Sequence, residues 1–464
     1  MSTAASLQTD VLIADALASW AARFQLNQVS DDVIHEAKRC ILDVIGVSYA
    51  GAAHPTVALT REQVSAQYNA GPCSLIGTDV TASSTGAALA NGTAAHVWDY
   101  DDVSFEGMVH GTAAVWPAVL AVSQASQASG ADLLTAFVAG VEAEYALGRA
   151  FTPELFFRGW WTTGLLGAIG AAIGAGKAMG LDARVLTQAI GIAAAQATGP
   201  YVLVGTPIKP YACGRAAEAG VQAANFALAG LTAPDDVFEH EQGFTSMFGD
   251  RTFFADELAK LGDRFVLETS RLTFKRYPVC AGAQGSVEAV LDLIAEHGLT
   301  ADQVTKVRCE VTPAISHYMQ YRVPRDTTEA QFSLPYCIAC ALLFGGITFQ
   351  HLTEAAIRNP RTLDELAKVE VVPSETLAEQ EKSHEDHIEP AIATIWTVDG
   401  RELRTVNRAA TGTPQQPISD SELEAKFLAC TAPSMMPDEA KSLIARIWKL
   451  ETLGSALALL PSKR

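Results

Sequence analysis

The sequence predicts a mainly α fold: a large all-helical domain built from both chain ends, with a smaller α+β lid domain between them. Three observations carry this expectation. Residues 1–267 run through one helical pattern after another, strand-like alternation is confined to 268–408, and helical patterning returns over 409–464. The chain has 464 residues, 49% of them apolar, which is ample for more than one hydrophobic core.

VLIADALASWAARF is amphipathic, and DDVIHEAKRCILDVIGVSYAG opens on acids and closes on glycine, as helix ends prefer. SGADLLTAFVAG, MGLDARVLTQAIGIAAAQ and AGLTAPDDVFE repeat the device: a small-residue terminus runs into a new helix opened by an acid or threonine. These are helical hairpins without a fixed repeat. Two segments are glycine-rich, STGAALANGTAAH and TTGLLGAIGAAIGAGKAMG. In the second, Gly164, Gly167, Ala171 and Gly174 form one smooth face, which would admit a neighbouring backbone closely. It is not a phosphate loop, because Gly176-Lys177 is followed by Ala178 and no strand precedes it. From residue 268, RLTFKRYPVC reads as a strand or a linker and AQGSVEAVLDLIAEHG as a helix. DQVTKVRCEVTP and AKVEVVPSE read as strands, and AIATIWTVDGRELRTVNR as a hairpin turned at Asp399-Gly400. TGTPQQPISD is an exit linker. SDSELEAKFLAC and MPDEAKSLIARIWKLETLGSALALL are helical and are expected to rejoin the first domain.

A net charge of −19 argues against nucleic-acid partners and anionic membranes, although a few lysines can still make one pocket positive. The eight cysteines are scattered, so neither a disulfide framework nor a zinc knuckle is expected, and Cys337 and Cys340 fall in the apolar run SLPYCIACALLFGG as buried thiols. The N-terminus acquires acids where a signal peptide is basic, and no run of about 18 apolar residues reads as a membrane span. A cytoplasmic protein is expected. SHEDHIEP, with His384, Glu385, Asp386 and His387, reads as a solvated loop rather than a metal site.

The segment HVWDYDDVSFEGMVHG concentrates the candidate chemistry. Asp99, Asp101 and Asp102 are interleaved with Trp98, Tyr100, Val103 and Phe105, and acids set among large apolar groups are costly to bury unless paired. With 87–102 helical, His96 and Asp99 stand one turn apart, so that Asp99 orients His96 or acts on a substrate. His110 on a glycine-flanked turn is a general acid or base candidate; the alternative is that His96 caps or packs and the aspartates make N–H or arginine contacts. Pro207 and Pro210 stiffen the backbone around Lys209, and Arg215 follows on a small-residue helix, an arrangement suited to a carboxylate. A surface lysine is the other reading. Lys275 and Arg276 lie at the expected domain junction. Tyr336 opens an apolar helix, either donating to an oxyanion or serving as a core tyrosine with one hydrogen bond.

Taken together, ANGTAAHVWDYDDV, the histidine–glycine turn, GWWTTGLLGAIGAA, KPYACGRAAEAG and FKRYPVC resemble the MmgE/PrpD family over essentially the whole chain. The resemblance implies a homodimer that works without nucleotide or flavin, and mostly without metal, on small anionic di- or tricarboxylates. Its members include 2-methylcitrate dehydratases, cis-aconitate decarboxylases and iminodisuccinate epimerases. It maps the family aspartate onto Asp99, the following histidine onto His110, and the two lysines onto Lys209 and Lys275. The family tyrosine maps onto Tyr336. On this view Lys209 and Lys275 grip carboxylates, Tyr336 donates to one of them, His110 shuttles a proton and Asp99 partners the histidine. His96, Trp161, Arg215, Arg276 and Gln284 are expected around the substrate. Trp161 and Gln284 stand where many members have histidine, and the first change suggests room for a bulkier or more apolar substituent. A lyase is expected, with an epimerase or a non-catalytic metabolite binder as alternatives.

Overall fold

The computed structural model describes residues 12–249, 255–269, 272–382 and 389–461; His384, Glu385, Asp386 and His387 lie outside the described residues. The chain begins with helices α1 (Ile13–Arg23), α2 (Asp31–Gly51), α3 (Pro55–Gln67), α4 (Ser84–His96) and α5 (Gly111–Ser126). They are followed by α6 (Gly130–Phe151), α7 (Glu154–Phe157), α8 (Thr162–Ala178), α9 (Ala183–Ala194) and α10 (Ile208–Leu228). Local chemistry sets their starts. The side chains of Ser83, Ser129 and Asp182 accept from backbone N–H groups in the first turns of α4, α6 and α9, satisfying donors that a helix start leaves unpaired.

The glycine- and alanine-rich helix α8 lies among α5, α6, α9 and α10 and is buried over Thr162–Gly176. Its smooth face does what the spacing predicted. A side chain on Gly167 would meet Ala114 of α5, and one on Gly174 would meet Val115 and Val119. The same principle joins α4 to α10. A Cβ on Gly92 would lie 2.8 Å from the Cα of Gly214, and one on Gly214 would lie 2.3 Å from the carbonyl oxygen of Leu89. Because these two backbones touch, the C-terminal end of α4 arrives beside the N-terminal end of α10.

The strand content is small, and part of it falls within the region read as all helical. β1 (Cys73–Ser74) pairs with β2 (Thr81–Ala82), and β3 (Val103–Ser104) pairs with β4 (Leu272–Thr273), so RLTFKRYPVC supplies a two-residue strand before it becomes a loop. The main sheet holds β5 (Val304–Val311), β6 (Val369–Pro373), β7 (Ala391–Thr397) and β8 (Glu402–Asn407) in the order β6-β5-β7-β8. β5 runs parallel to β6 and antiparallel to β7; β7 and β8 form the expected hairpin, with Gly400 in the turn at φ +86°. Helix Gln284–His297 covers β7 and β8, and the CIAC helix Leu334–Phe344 packs on that helix, with both thiols buried.

Helix Asp420–Thr431 returns to the helical body and packs on α2. The Lys426 ammonium is 2.7 Å from buried Asp43 and donates to the carbonyl oxygen of Tyr100 at 2.7 Å, which ties the chain end to the segment after α4. Among the described residues no helix is long and apolar enough to cross a membrane.

Gly214→Val places methyl groups where the α4 backbone runs and is expected to cost about 1–3 kcal/mol. Gly454→Ala, a site with nothing within 4 Å, serves as the neutral control. Urea unfolding midpoints check both.

Candidate active site

Helix α4 stops at His96, and the chain then makes a tight turn in which Asp99 takes φ +48°, a left-handed conformation that aspartate tolerates better than most residues. The turn sends the three aspartates to three different partners. Asp99 Oδ1 lies 2.6 Å from Lys209 Nζ and 3.3 Å from Lys275 Nζ, and Lys275 also donates to the Asp99 carbonyl oxygen at 2.7 Å. Lys209 reaches it from the first turn of α10, and Lys275 from the loop after β4. All three side chains are buried. Burial works to raise the Asp99 pKa, but the two ammonium groups together hold it far below the usual carboxylate range. For Lys275, burial opposes the charge while Asp99 and Asp101 more than offset it, so its pKa is raised.

Asp101 faces two imidazoles. Its Oδ2 lies 2.9 Å from His96 Nδ1 and 3.0 Å from His110 Nδ1. His110 Nδ1 also faces the carbonyl oxygen of Asp102 at 3.1 Å. A carbonyl oxygen only accepts, so Nδ1 carries the proton and Nε2 is the nitrogen able to take one. The His110 backbone N–H donates to Thr163 Oγ1 at 3.0 Å, which fixes the residue at the start of α5. Burial pushes the His110 pKa down against the pull of Asp101, and His96 falls to about 4 for the same reason. Asp102 accepts from Thr112 Oγ1 at 2.8 Å; burial, with Asp43 and Asp101 nearby, raises its carboxyl well above the ordinary value.

Asp99, His110, Lys209 and Lys275 line one cavity of about 660 Å³, together with Trp161. The Trp161 ring stacks on His96 at 5.4 Å, and the Lys209 ammonium sits 5.7 Å from Trp161 and 5.1 Å from the Phe332 ring. His96, Asp99, Asp101 and His110 also offer ligand atoms within 4.8 Å of one another. Two ammonium groups stand against that cluster at Asp99, so a cation entering it would be repelled. The cavity sets two cations, the carboxylate of Asp99 and an imidazole on largely apolar walls, where charges interact more strongly than in bulk water.

The model of the MmgE/PrpD N-terminal domain matches residues 15–255, and that of the MmgE/PrpD C-terminal domain matches residues 277–452. The chain belongs to the MmgE/PrpD family. Human cis-aconitate decarboxylase is 28% identical over 448 residues, covering 92% of this chain and 90% of its own. The mouse enzyme of the same name is 26% identical over 451 residues (92% and 88%), and the Aspergillus terreus one 28% over 351 residues (71% and 72%).

Several residues of this MmgE/PrpD chain stand elsewhere than its sequence suggested. Tyr336 is fully buried away from the cavity wall, and its hydroxyl donates to the carbonyl oxygen of His351 and meets the Cys340 thiol: it is a core tyrosine. Arg215 pairs with Glu218, and the half-exposed Arg276 points to Glu288 at 3.6 Å. Gln284 braces the loop after Lys275, accepting from the N–H groups of Arg276 and Tyr277 and donating to the carbonyl oxygens of Tyr277 and Val279. His96 lies behind the wall, and its Nε2 is 3.9 Å from Asp99, beyond hydrogen-bond reach. The partner of both histidines is therefore Asp101, not Asp99. The helix expected over 87–102 ends at His96, so i, i+3 geometry no longer governs Asp99. Asp101 was visible in the DYDD cluster, but nothing in its spacing marked it as the shared acceptor.

Asp99→Asn keeps a residue that accepts φ +48° while removing the charge between two ammonium groups; a loss of about 3–5 kcal/mol is expected. Because the folded pKa is depressed, this term is fully present above the unfolded value near pH 4 and is lost as pH falls through the folded one. The stability gap between wild type and variant should therefore stay level from neutral pH to about pH 5 and narrow below about pH 4, as read from urea unfolding at each pH.

Proposed function

We propose that the protein is a lyase that decarboxylates a small unsaturated di- or tricarboxylic acid of the cis-aconitate type. The observation that carries this reading is the joining of Lys209, Lys275 and a Nδ1-protonated His110 on one largely apolar cavity. Its support from relatives is the name shared by the human, mouse and Aspergillus terreus proteins.

Loss of carbon dioxide from a carboxylate borne on the saturated carbon next to a double bond leaves an allylic electron pair. That pair spreads through the double bond onto a second carboxylate, so the substrate carries its own electron sink. Lys209 and Lys275 would hold that second carboxylate, where charge grows as the carbon–carbon bond breaks. His110 is neutral before substrate arrives, since burial disfavours its charged form. An incoming polyanion reverses the balance and favours protonation at Nε2. The imidazolium then gives its proton to carbon, and one proton is consumed for each carbon dioxide released. Asp101 acts through His110, holding the ring in the tautomer that the transfer requires.

The test is turnover of cis-aconitate, citrate and 2-methylcitrate in deuterium oxide, followed by NMR and carbon dioxide release. One deuterium should enter each decarboxylated product. His110→Gln should lower kcat by about 10²–10⁴-fold, and Lys209→Met should lower kcat/KM in a fully folded protein. Deuterium washed into recovered substrate without carbon dioxide would favour the isomerase reading and overturn the lyase one. Full activity in His110→Gln would remove the proposed proton donor.

A further inference from the structure

The cavity is far larger than the lysine end requires for a compact acid, and its remaining wall has a definite chemistry. Next to Lys209 begins an apolar face formed by Trp161, Phe332, Val204, Tyr201 and Phe156. This face is built rather than incidental. The Trp161 N–H donates to the carbonyl oxygen of Gly199 at 2.6 Å, and the Tyr201 N–H donates to that of Gly159 at 2.8 Å, locking residues 159–161 to 199–201. A side chain on Gly199 would meet the carbonyl oxygen of Trp161 at 2.7 Å, so the two segments touch at backbone distance. Phe156 then packs edge-on against Tyr201 with ring centroids 5.1 Å apart. The further acidic side chains on the cavity wall, Glu106 and Glu389, are carboxylates. Glu106 is engaged by Arg264 at 2.8 Å, and Glu389 accepts from the Tyr318 hydroxyl at 3.2 Å. Both glutamates are thus already engaged, and a substrate carboxylate is drawn to the lysine end, where Lys209 and Lys275 stand together.

We infer that the substrate has its carboxylates gathered at one end and carries a hydrocarbon substituent of several carbons, which lies along the Trp161–Phe156 face. This inference rests on the carboxylate reading of the lysine end and specifies which acid of that class the site takes. Val204, Phe156 and Phe332 become specificity-determining residues, and the preferred acid is an alkyl-substituted relative of cis-aconitate, bound more tightly than the parent compound. Each methylene moved from water onto such a wall strengthens binding, whereas the parent acid leaves the wall wetted.

Saturated 2-alkylsuccinates cannot lose carbon dioxide by this route and so report binding alone. Calorimetric titration of the full chain with succinate and its methyl, butyl and hexyl derivatives should show Kd falling roughly threefold to fourfold per added methylene until the wall is covered. Val204→Trp and Ala314→Phe, each filling the cavity from a different segment, should flatten that dependence; two variants guard against misfolding of either, which thermal melts report. Lys209→Met should weaken every member of the series by a similar factor. Succinates that bind alike whatever their chain length would overturn the hydrocarbon subsite and leave the lyase reading standing. No binding of any member, succinate included, would overturn the carboxylate reading and the subsite with it.

Discussion

One carboxylate between two ammonium groups organises this molecule. Asp99 receives Lys209 from the start of α10 and Lys275 from the loop after β4, so three segments far apart in sequence meet at one buried point. Desolvating three charges is expensive, and such a cluster is weak evidence for stability on its own. Its value is positional. The ammonium groups cannot leave Asp99 without stranding a buried charge, so they stay aimed at the cavity. The contact rests in turn on the touching backbones at Gly92 and Gly214, which bring the end of α4 to the start of α10. Small residues in the helices therefore set the address of the charged ones at their tips.

The three aspartates after α4 have nearly the same surroundings in sequence and opposite electrostatic fates. Asp99 and Asp101 are held well below the ordinary carboxylate range, the first by lysines and the second by two imidazoles, although burial pushes both upward. Asp102, with Thr112 as its side-chain partner and Asp43 and Asp101 as electrostatic neighbours, is pushed the other way. Burial alone would make all three neutral acids. What separates them is their partners: two ammonium groups for Asp99, two imidazoles for Asp101, and for Asp102 a threonine hydroxyl beside two further carboxylates, where the pull of Lys426 does not offset burial.

Most of the architecture was legible because it follows from periodicity and punctuation. The smooth face of α8, the hairpin turned at Asp399-Gly400, the buried CIAC helix and the return of the C-terminal helices all come from residue spacing and end signals. Convergence of Asp99, His110, Lys209 and Lys275 was legible through motif resemblance. The misplaced partner of the histidines has a local cause. Helical spacing was carried past His96 into a turn, which gave the histidines to Asp99 in place of Asp101. Tyr336, Gln284, Arg215 and Arg276 were judged by chemical type and neighbourhood in sequence. Their partners (a backbone carbonyl, a loop and two glutamates) are set by tertiary placement, which a single chain of letters does not encode locally. Of the apolar wall only Trp161 was singled out in the sequence; Phe156, Tyr201, Val204 and Phe332 escaped notice for a related reason. Apolar residues scattered through loops carry no period.

The acidity of the whole chain and the placing of two lysines at one end of its cavity bear on each other. A net charge of −19 gives no general attraction for anions, so affinity must be local and short-ranged. At the cavity, Asp99 neutralises part of the lysine charge until a ligand carboxylate arrives to share it, which keeps the empty site from being strongly positive. Burial likewise lowers the pKa of His110, and on the proposed reading the imidazole would gain its proton through the field of a bound anion. Anion binding and proton uptake are then reciprocal, since whatever raises the imidazole's affinity for a proton is strengthened in turn by that proton. On that reading the site would arm its acid only when there is a carboxylate for it to act upon, and the burial that lowers the pKa of His110 would also magnify the anion's effect on it.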